Sequence, residues 1–172
     1  LRAYEAAMPQ SFTDHDDGDE PIAQLARFCD AHGWPHDMVS DDEVVATIQG
    51  SWAAYEMRGV WREEDGVLQI LMFPEIRVVD DRRAAAYESL SLINEQLWMG
   101  HFELWSSSSM LLYRHATLVG ADGLTLEAID TLVQTAIDEC ERFYPVFQFV
   151  LWGGKSPSDA IAAAMIETRG EA

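Results

Sequence analysis

Histidines are the first residues to consider for chemistry, because imidazole is a common metal ligand and a general acid or base near neutral pH. His32 and His36 have the spacing of a helical zinc pair, but a glycine and a proline between them interrupt any helix. His101 immediately precedes one predicted strand and His115 lies in the next, so the two could face each other across the hairpin. We interpret all of them as structural or surface histidines and expect no metal and no cofactor.

Other catalytic patterns are incomplete in this sequence. Gly154-Lys155-Ser156 ends like a phosphate-binding loop, but the motif needs a further glycine five residues earlier, where the chain has Phe149. The carboxylates of the last long helix crowd one polar face, whereas glycosidase chemistry needs two of them facing each other across a cleft. We therefore expect no catalytic residues. The alternative is a small-molecule-binding protein or an enzyme with an aromatic-lined pocket near three polar side chains, which are those of His101, Arg114 and His115.

Composition limits the classes of partner. The chain has 172 residues and a formal net charge of −19, which repels nucleic-acid phosphates and anionic lipid headgroups. No apolar stretch reaches the roughly 18–20 residues that span a bilayer, so we expect no membrane partner. Cys29 and Cys140 fall on apolar helix stripes and are expected to be buried, reduced thiols, which suit a cytoplasmic protein.

Hydrophobic periodicity predicts the order helix, three strands, helix, two strands, helix and short helix. A period near two indicates the strands and a period near 3.6 indicates the helices. Residues 34–39 leave a further short strand open. The predicted helices cover 21–33, 82–98, 125–151 and 157–168, and the predicted strands cover 44–49, 55–61, 67–73, 102–106 and 110–118.

This order predicts an α+β fold with a single antiparallel five-stranded sheet and helices packed on it. The helix at 125–151 should continue through Pro145 with a bend, since its apolar stripe keeps the same phase on both sides. Asp80 and Thr125 are the predicted caps of the second and third helices. Residues 1–20 form an acidic, solvated arm in this interpretation, and residues 21–172 form one domain.

Two features predict contact with other proteins. The helix at 82–98 has, besides its core line, a second semi-apolar face at Ala85, Ser89 and Leu92, which suits a homodimer about a two-fold axis. The alternative is that the helix at 157–168 covers this face within one chain. Among the six tryptophans, core packing should explain most, and the remainder should line a groove or interface, with Trp98 and Trp105 as candidates.

Several strings of the sequence, taken in order, resemble the YbjN family over roughly residues 21–170. They are Trp34-Pro35, the strand block through Trp61-Arg-Glu63, Ile93-Asn-Glu-Gln-Leu-Trp98, Gly100-His-Phe-Glu-Leu-Trp105, Tyr113-Arg-His115, and Glu141-Arg-Phe-Tyr-Pro145 through Gly153-Gly-Lys155. The resemblance implies a regulator of bacterial sensory transduction with a fold similar to that of type III secretion chaperones, and usually a dimer. It supplies no catalytic residues. From the residues and the resemblance together, we expect a non-enzymatic protein-binding regulator or chaperone-like adaptor with an unidentified protein partner.

Overall fold

The fold was obtained from a computed structural model, which describes residues 20–167 of the chain. The predicted acidic arm, apart from Glu20, lies outside the described residues. The described part contains four α-helices and one antiparallel sheet, which confirms the α+β class.

The sheet has six strands, so the prediction of five was wrong. They are paired in the order β1-β2-β3-β4-β6-β5, with the bounds β1 His36–Ser40, β2 Glu43–Gln49, β3 Ala54–Arg62, β4 Val67–Phe73, β5 His101–Trp105 and β6 Met110–Leu118. The additional strand is β1, which falls in the segment that the sequence left open. Its side chains are almost all exposed, so no apolar alternation marked it, and backbone pairing with β2 holds it at the sheet edge.

The helices are α1 Pro21–His32, α2 Arg83–Asn94, α3 Leu126–Leu151 and α4 Pro157–Glu167. As predicted, α3 is one helix that contains Pro145, and the Thr125 hydroxyl caps it by accepting from the Ala128 amide at 3.1 Å. The predicted second helix was too long at its C-terminal end, because α2 stops at Asn94. Asp80 is also not its cap: it lies in a short 3₁₀ turn, and its carboxylate contacts Arg83 at 3.2 Å.

The main core lies between α1, α2 and α3 and one face of the sheet, which we call the covered face. Strand residues of this face are nearly solvent-free, for example Met57, Ile70 and Tyr113 at 0–1% exposure. Helix α1 lies so close to β3 that a Cβ atom added at Gly59 would overlap the Leu25 side chain. Cys29 and Cys140 are free and buried in the helices, as predicted. Helix α4 packs on α2 and α3 rather than on the sheet.

Candidate protein-interaction surfaces

The predicted second face of α2 is largely enclosed within the chain. Ser89 is completely buried, and its hydroxyl donates to the Ala85 carbonyl oxygen at 2.8 Å. Ala85 is half-buried against the main core, and Leu92 is also half-buried. Helix α4 packs against α2, as in the alternative that the sequence left open. Contact with a partner through Ser89 would first require neighbouring side chains to move.

The loop of residues 95–100, which follows α2, exposes Trp98 fully. Its side chain is 99% exposed, although large apolar side chains are usually at least partly covered. The loop is nevertheless fastened at both ends. At one end, the Asn94 side-chain amide bonds both backbone groups of Phe102, at 3.0 and 2.8 Å, and at the other the Tyr113 hydroxyl donates to the Met99 carbonyl oxygen at 2.8 Å.

Gly100 adds a steric reason for the shape of this loop. Its φ of +66° is in the left-handed region, and an added Cβ would overlap the Tyr113 hydroxyl and lie 2.8 Å from the Arg114 carbonyl oxygen. Only glycine therefore fits this position without rearrangement. The loop that presents Trp98 is held in place, so the exposure of the indole follows from the structure of the loop itself.

A cavity of about 370 Å³ lies between this loop, β6 and the start of α3. Its lining includes Met99 and His115, together with Thr117, Leu124, Thr125, Glu127, Ala128, Thr131 and Leu132. Burial lowers the pKa of His115 below its ordinary value, which favours the neutral imidazole. The lining contains no phenylalanine, tyrosine or tryptophan, so it is not the aromatic-lined pocket of the alternative hypothesis.

The three polar residues of that hypothesis do not converge. Arg114 and His115 are consecutive in β6, so their side chains point to opposite faces of the sheet. His101 pairs with Arg114 across the β5–β6 ladder and shares its face. The sheet itself therefore separates the two histidines, and the alternative hypothesis of one pocket near all three residues does not agree with the structure.

The face opposite the covered face, which we call the open face, carries two rows of side chains that run across the strands. Strand register places Arg58, Leu71, Arg114 and His101 in one line, which we call the basic row. A second line, displaced from the first by two residues along each strand, contains Glu56, Phe73, Leu112 and Glu103. We call it the acidic row. The acidic row thus has two apolar residues between its two glutamates, whereas the basic row has Leu71 and Arg114 between Arg58 and His101.

Ion pairs connect the two rows within the chain. Arg58 contacts Glu56 at 2.7 Å and Glu43 at 3.3 Å, and Arg114 contacts Glu103 at 2.6 Å. These side chains remain between 26% and 42% exposed. Each pair therefore keeps contact with water.

The apolar centre of the open face is a separate cluster built from strand residues. Leu71, Phe73 and Leu112 are 0–8% exposed, and Val60 and Trp105 pack against them half-buried. The Phe73 ring meets Trp105 edge to face at 5.5 Å, and the Arg58 guanidinium lies 5.7 Å from the Phe73 ring centre. Among the described residues, this cluster contains strand residues and no helix residue.

The tryptophans divide evenly between partial packing and exposure. Trp34 and Trp61 pack half-buried against the main core, and Trp105 does so against the cluster of the open face. The other three are exposed, namely Trp52 at 49%, Trp98 at 99% and Trp152 at 59%. The expectation that core packing explains most of them was wrong.

Sequence reasoning missed the residues that fix the surface loops. Glu141, one of the carboxylates on the polar face of the last long helix, accepts from the Tyr55 hydroxyl at 2.5 Å and from the Ser51 amide at 3.0 Å, joining α3 to the β2–β3 turn. Asn94 joins α2 to β5 in a similar way, through two hydrogen bonds between its side-chain amide and the Phe102 backbone. Neither contact has a sequence signal, since each joins residues whose proximity depends on the tertiary fold. Glu56 and Arg58 alternate with apolar residues in β3, but only strand register aligns them with residues of the neighbouring strands.

Within residues 20–167, no three or more histidine, cysteine or carboxylate side chains come together in a way that could hold a metal ion. In that part of the chain, no helix combines the length and apolarity needed to cross a bilayer.

Two solved structures are similar to this chain in fold. One is "Crystal structure of YbjN, a putative transcription regulator from E. coli", with a TM-score of 0.51 and 11% identity, covering 70% of this chain and 85% of that one. The other is the ExsC–ExsE complex, with a TM-score of 0.53 and 17% identity, covering 73% of this chain and 92% of that one. No curated protein sequence matches this chain.

A family model described as "YbjN: Putative bacterial sensory transduction regulator" matches residues 21–149. The match includes the whole sheet and the helices α1 and α2, as well as most of α3, and it ends before α4. It agrees with the strings of tryptophan-containing sequence and with the fold. The chain belongs to the YbjN family.

Proposed function

We propose that this protein is a non-enzymatic regulator or chaperone-like adaptor that works in the bacterial cytoplasm, as a homodimer, by binding another protein. The family match and the two similar folds support a regulatory or chaperone-like role. One of those folds was solved in a complex of two different proteins.

The observation that carries the proposal is the exposure of Trp98 on a fastened loop. A tryptophan that is 99% exposed contributes almost nothing to the core, yet its loop is held by Asn94, Tyr113 and Gly100. Tryptophan is enriched among the residues that contribute most to protein–protein binding, and a pre-formed loop reduces the entropy lost on binding. Trp98 is therefore the residue on which we place the contact with the partner.

Charge indicates the kind of partner. The net charge of −19 disfavours an acidic protein at long range and increases the association rate with a basic one. We expect a partner with an apolar pocket that receives the indole and a basic rim around it.

Affinity capture from the protein's own cells tests this proposal. The full chain, the Trp98→Ala variant and the Trp152→Ala variant are compared by quantitative mass spectrometry. Trp152 is a matched control, because it is also an exposed tryptophan, at 59%, but lies at the other end of the long helix α3. We expect one protein to be captured by the wild type and by Trp152→Ala, and at least about tenfold less by Trp98→Ala.

Two results would contradict the proposal. The first is capture of the same protein at the same yield by Trp98→Ala, which would exclude this loop from the contact. The second is the absence of any protein enriched by the wild type over both a tag-only control and an unrelated acidic protein.

A further inference from the structure

We propose that the cavity beside the loop of residues 95–100 binds a small uncharged molecule that has an apolar body and a carbonyl oxygen. This site goes beyond the partner contact that the proposed function places on Trp98. Either proposal can fail without the other, because binding of a small molecule is measured without a partner protein.

The cavity has the size of a small-molecule site. Its volume of about 370 Å³ lies within the roughly 300–1,000 Å³ that is usual for ligand pockets. Three parts of the fold form its walls: the loop after α2 contributes Met99, β6 contributes His115 and Thr117, and the first turns of α3 contribute the largest part. The space is therefore formed by the folded chain before any ligand arrives.

His115 is a polar side chain of this cavity that lacks a partner. It is half-buried, and its Nδ1 atom is buried without a hydrogen-bond partner among the described residues. A proton on Nδ1 would be a buried donor with nothing to accept it, so we assign the proton to Nε2. Burial also lowers the pKa of His115, which keeps the ring neutral near pH 7. The imidazole is then left with one donor, the Nε2–H group, for a molecule in the cavity.

A threonine hydroxyl supplies a second donor. The Thr125 Oγ1 atom accepts from the Ala128 amide at 3.1 Å, so its own hydrogen is left to donate. The Thr131 hydroxyl, in contrast, already donates to the Glu127 carbonyl oxygen at 2.8 Å. Donors from His115 and Thr125 in one cavity favour a ligand with an acceptor oxygen, such as a carbonyl.

Charge disfavours ionised ligands at this site. Among the described residues, the lining includes Glu127 but no lysine or arginine, so a ligand carboxylate or phosphate would meet a like charge and no counter-charge. The net charge of −19 adds to this repulsion. A cation could approach Glu127, but that side chain is exposed, and an exposed ion pair contributes little. An uncharged ligand is the class that fits both the donors and the charge.

The remaining wall of the cavity is apolar. Met99, Leu124, Ala128 and Leu132 contribute it, and Leu132 is only 5% exposed. Ligand sites commonly combine such a wall with a few polar groups: the wall supplies much of the affinity, and the polar groups fix the orientation. The apolar body of the ligand would lie against these four side chains.

Three probes that share one apolar body test the proposal, namely 3-phenylpropanamide, 3-phenylpropanoate and 3-phenylpropylamine. NMR spectra of the full chain report binding through the methyl signals of Met99 and Leu132 and the ring signals of His115. We expect the amide to shift these signals with a Kd of about 1–10 mM, as is usual for so small a ligand. The carboxylate should bind at least about tenfold more weakly than the amide, and the amine should also bind more weakly.

Substitutions locate the binding site. Ala128→Leu fills part of the cavity and should weaken binding of the amide at least about tenfold. Gln134→Leu is the matched control, because it places the same side chain on an exposed part of the same helix outside the lining, and it should bind like the wild type. Urea unfolding verifies that both variants fold. If Ala128→Leu does not fold, Ala128→Val replaces it with a smaller expected loss of affinity.

Variants of His115 test the hydrogen bond. His115→Leu removes the donor and should weaken binding of the amide about fivefold, the value of one hydrogen bond. His115→Gln restores an N–H donor and should recover part of that loss. Nitrogen-15 spectra of the wild-type ring should show the proton on Nε2.

Several outcomes would overturn the proposal. They are an amide that shifts none of these signals up to its solubility limit, equal affinity of Ala128→Leu and the wild type, or tighter binding of the carboxylate or the amine. A His115 ring with its proton on Nδ1 would also overturn it, since the donor would then be absent. Partner capture that depends on Trp98, without any binding of the amide, would sink the ligand site and leave the proposed function standing. Binding of the amide without a captured partner would have the opposite meaning.

Discussion

The covered and open faces of the sheet are built from alternate residues of the same strands, yet their chemistry differs completely. In β3 the covered face receives Tyr55, Met57 and Gly59, whereas the open face receives Glu56 and Arg58. Helices exclude water from the first face, so its polar atoms need partners inside the protein, and the Tyr55 hydroxyl has one in Glu141. The open face keeps water beside its charges. The alternation of apolar and charged residues along a strand therefore indicates which side of the sheet the helices cover, even from the sequence alone.

The largest expected effect tests the covered face. Phe147 is 1% exposed in α3, and its ring meets Phe102 of β5 at 5.4 Å. Phe147→Ala should lower the free energy of unfolding by about 3–5 kcal/mol, because it empties a site that the surrounding core cannot close. Urea unfolding measures this directly. An unchanged transition midpoint would mean that Phe147 does not belong to the core.

The next prediction compares the two faces at neighbouring residues of β4. Ile70 lies in the core of the covered face at 1% exposure, and Leu71 lies in the cluster of the open face at 6%. Ile70→Ala should cost about 2–5 kcal/mol, and Leu71→Ala should cost less, since neighbouring side chains and water can close a gap on the open face. Equal losses in urea unfolding, measured at a concentration where both variants are monomeric, would show that the two faces are equally closed.

A smaller effect concerns pH and the cavity beside the Trp98 loop. Burial lowers the pKa of His115, so the folded state disfavours its protonation. Its contribution to stability is complete above the ordinary pKa of about 6.5 and is lost as the pH falls from there toward the lower folded pKa. The wild type should therefore lose more stability on acidification than His115→Gln does. Parallel unfolding curves at each pH would show that His115 titrates normally.

Local signals were sufficient for the regular elements. The phase of the apolar stripe indicated that α3 continues through Pro145, and Thr125 marked its start, because both signals depend on neighbours in the chain. The sixth strand, β1, could not be separated from a loop, since it buries almost nothing and depends on its backbone pairing with β2. The bend expected at Pro145 and the acidic arm remain predictions.

The interaction surfaces were less accessible to sequence reasoning, and α2 shows why. Periodicity found a small-residue face at Ala85 and Ser89, but it could not reveal that α4 packs against this helix from the far end of the chain. The helix was also predicted to continue through Trp98, whereas Asn94 bonds the Phe102 backbone and the chain turns away. Trp98 was named as a candidate for its residue type, and its exposure depends on contacts that only the tertiary structure provides.

The smallest expected effect on stability is also the one that separates folding from binding. Trp98→Ala removes a side chain that is 99% exposed, so the free energy of unfolding should change by no more than about 0.5 kcal/mol. Tyr113→Phe is a useful companion, because it removes the hydroxyl that holds the Met99 carbonyl oxygen but leaves Trp98 present. If a pre-formed loop matters for binding, Tyr113→Phe should weaken partner capture with the indole unchanged, and its loss of stability should be modest, near that of one buried hydrogen bond, about 1 kcal/mol. The partner could instead be captured at the wild-type yield by Tyr113→Phe and not at all by Trp98→Ala. That result would mean that binding requires the indole alone, and that the hydrogen bond to the loop contributes to folding rather than to binding.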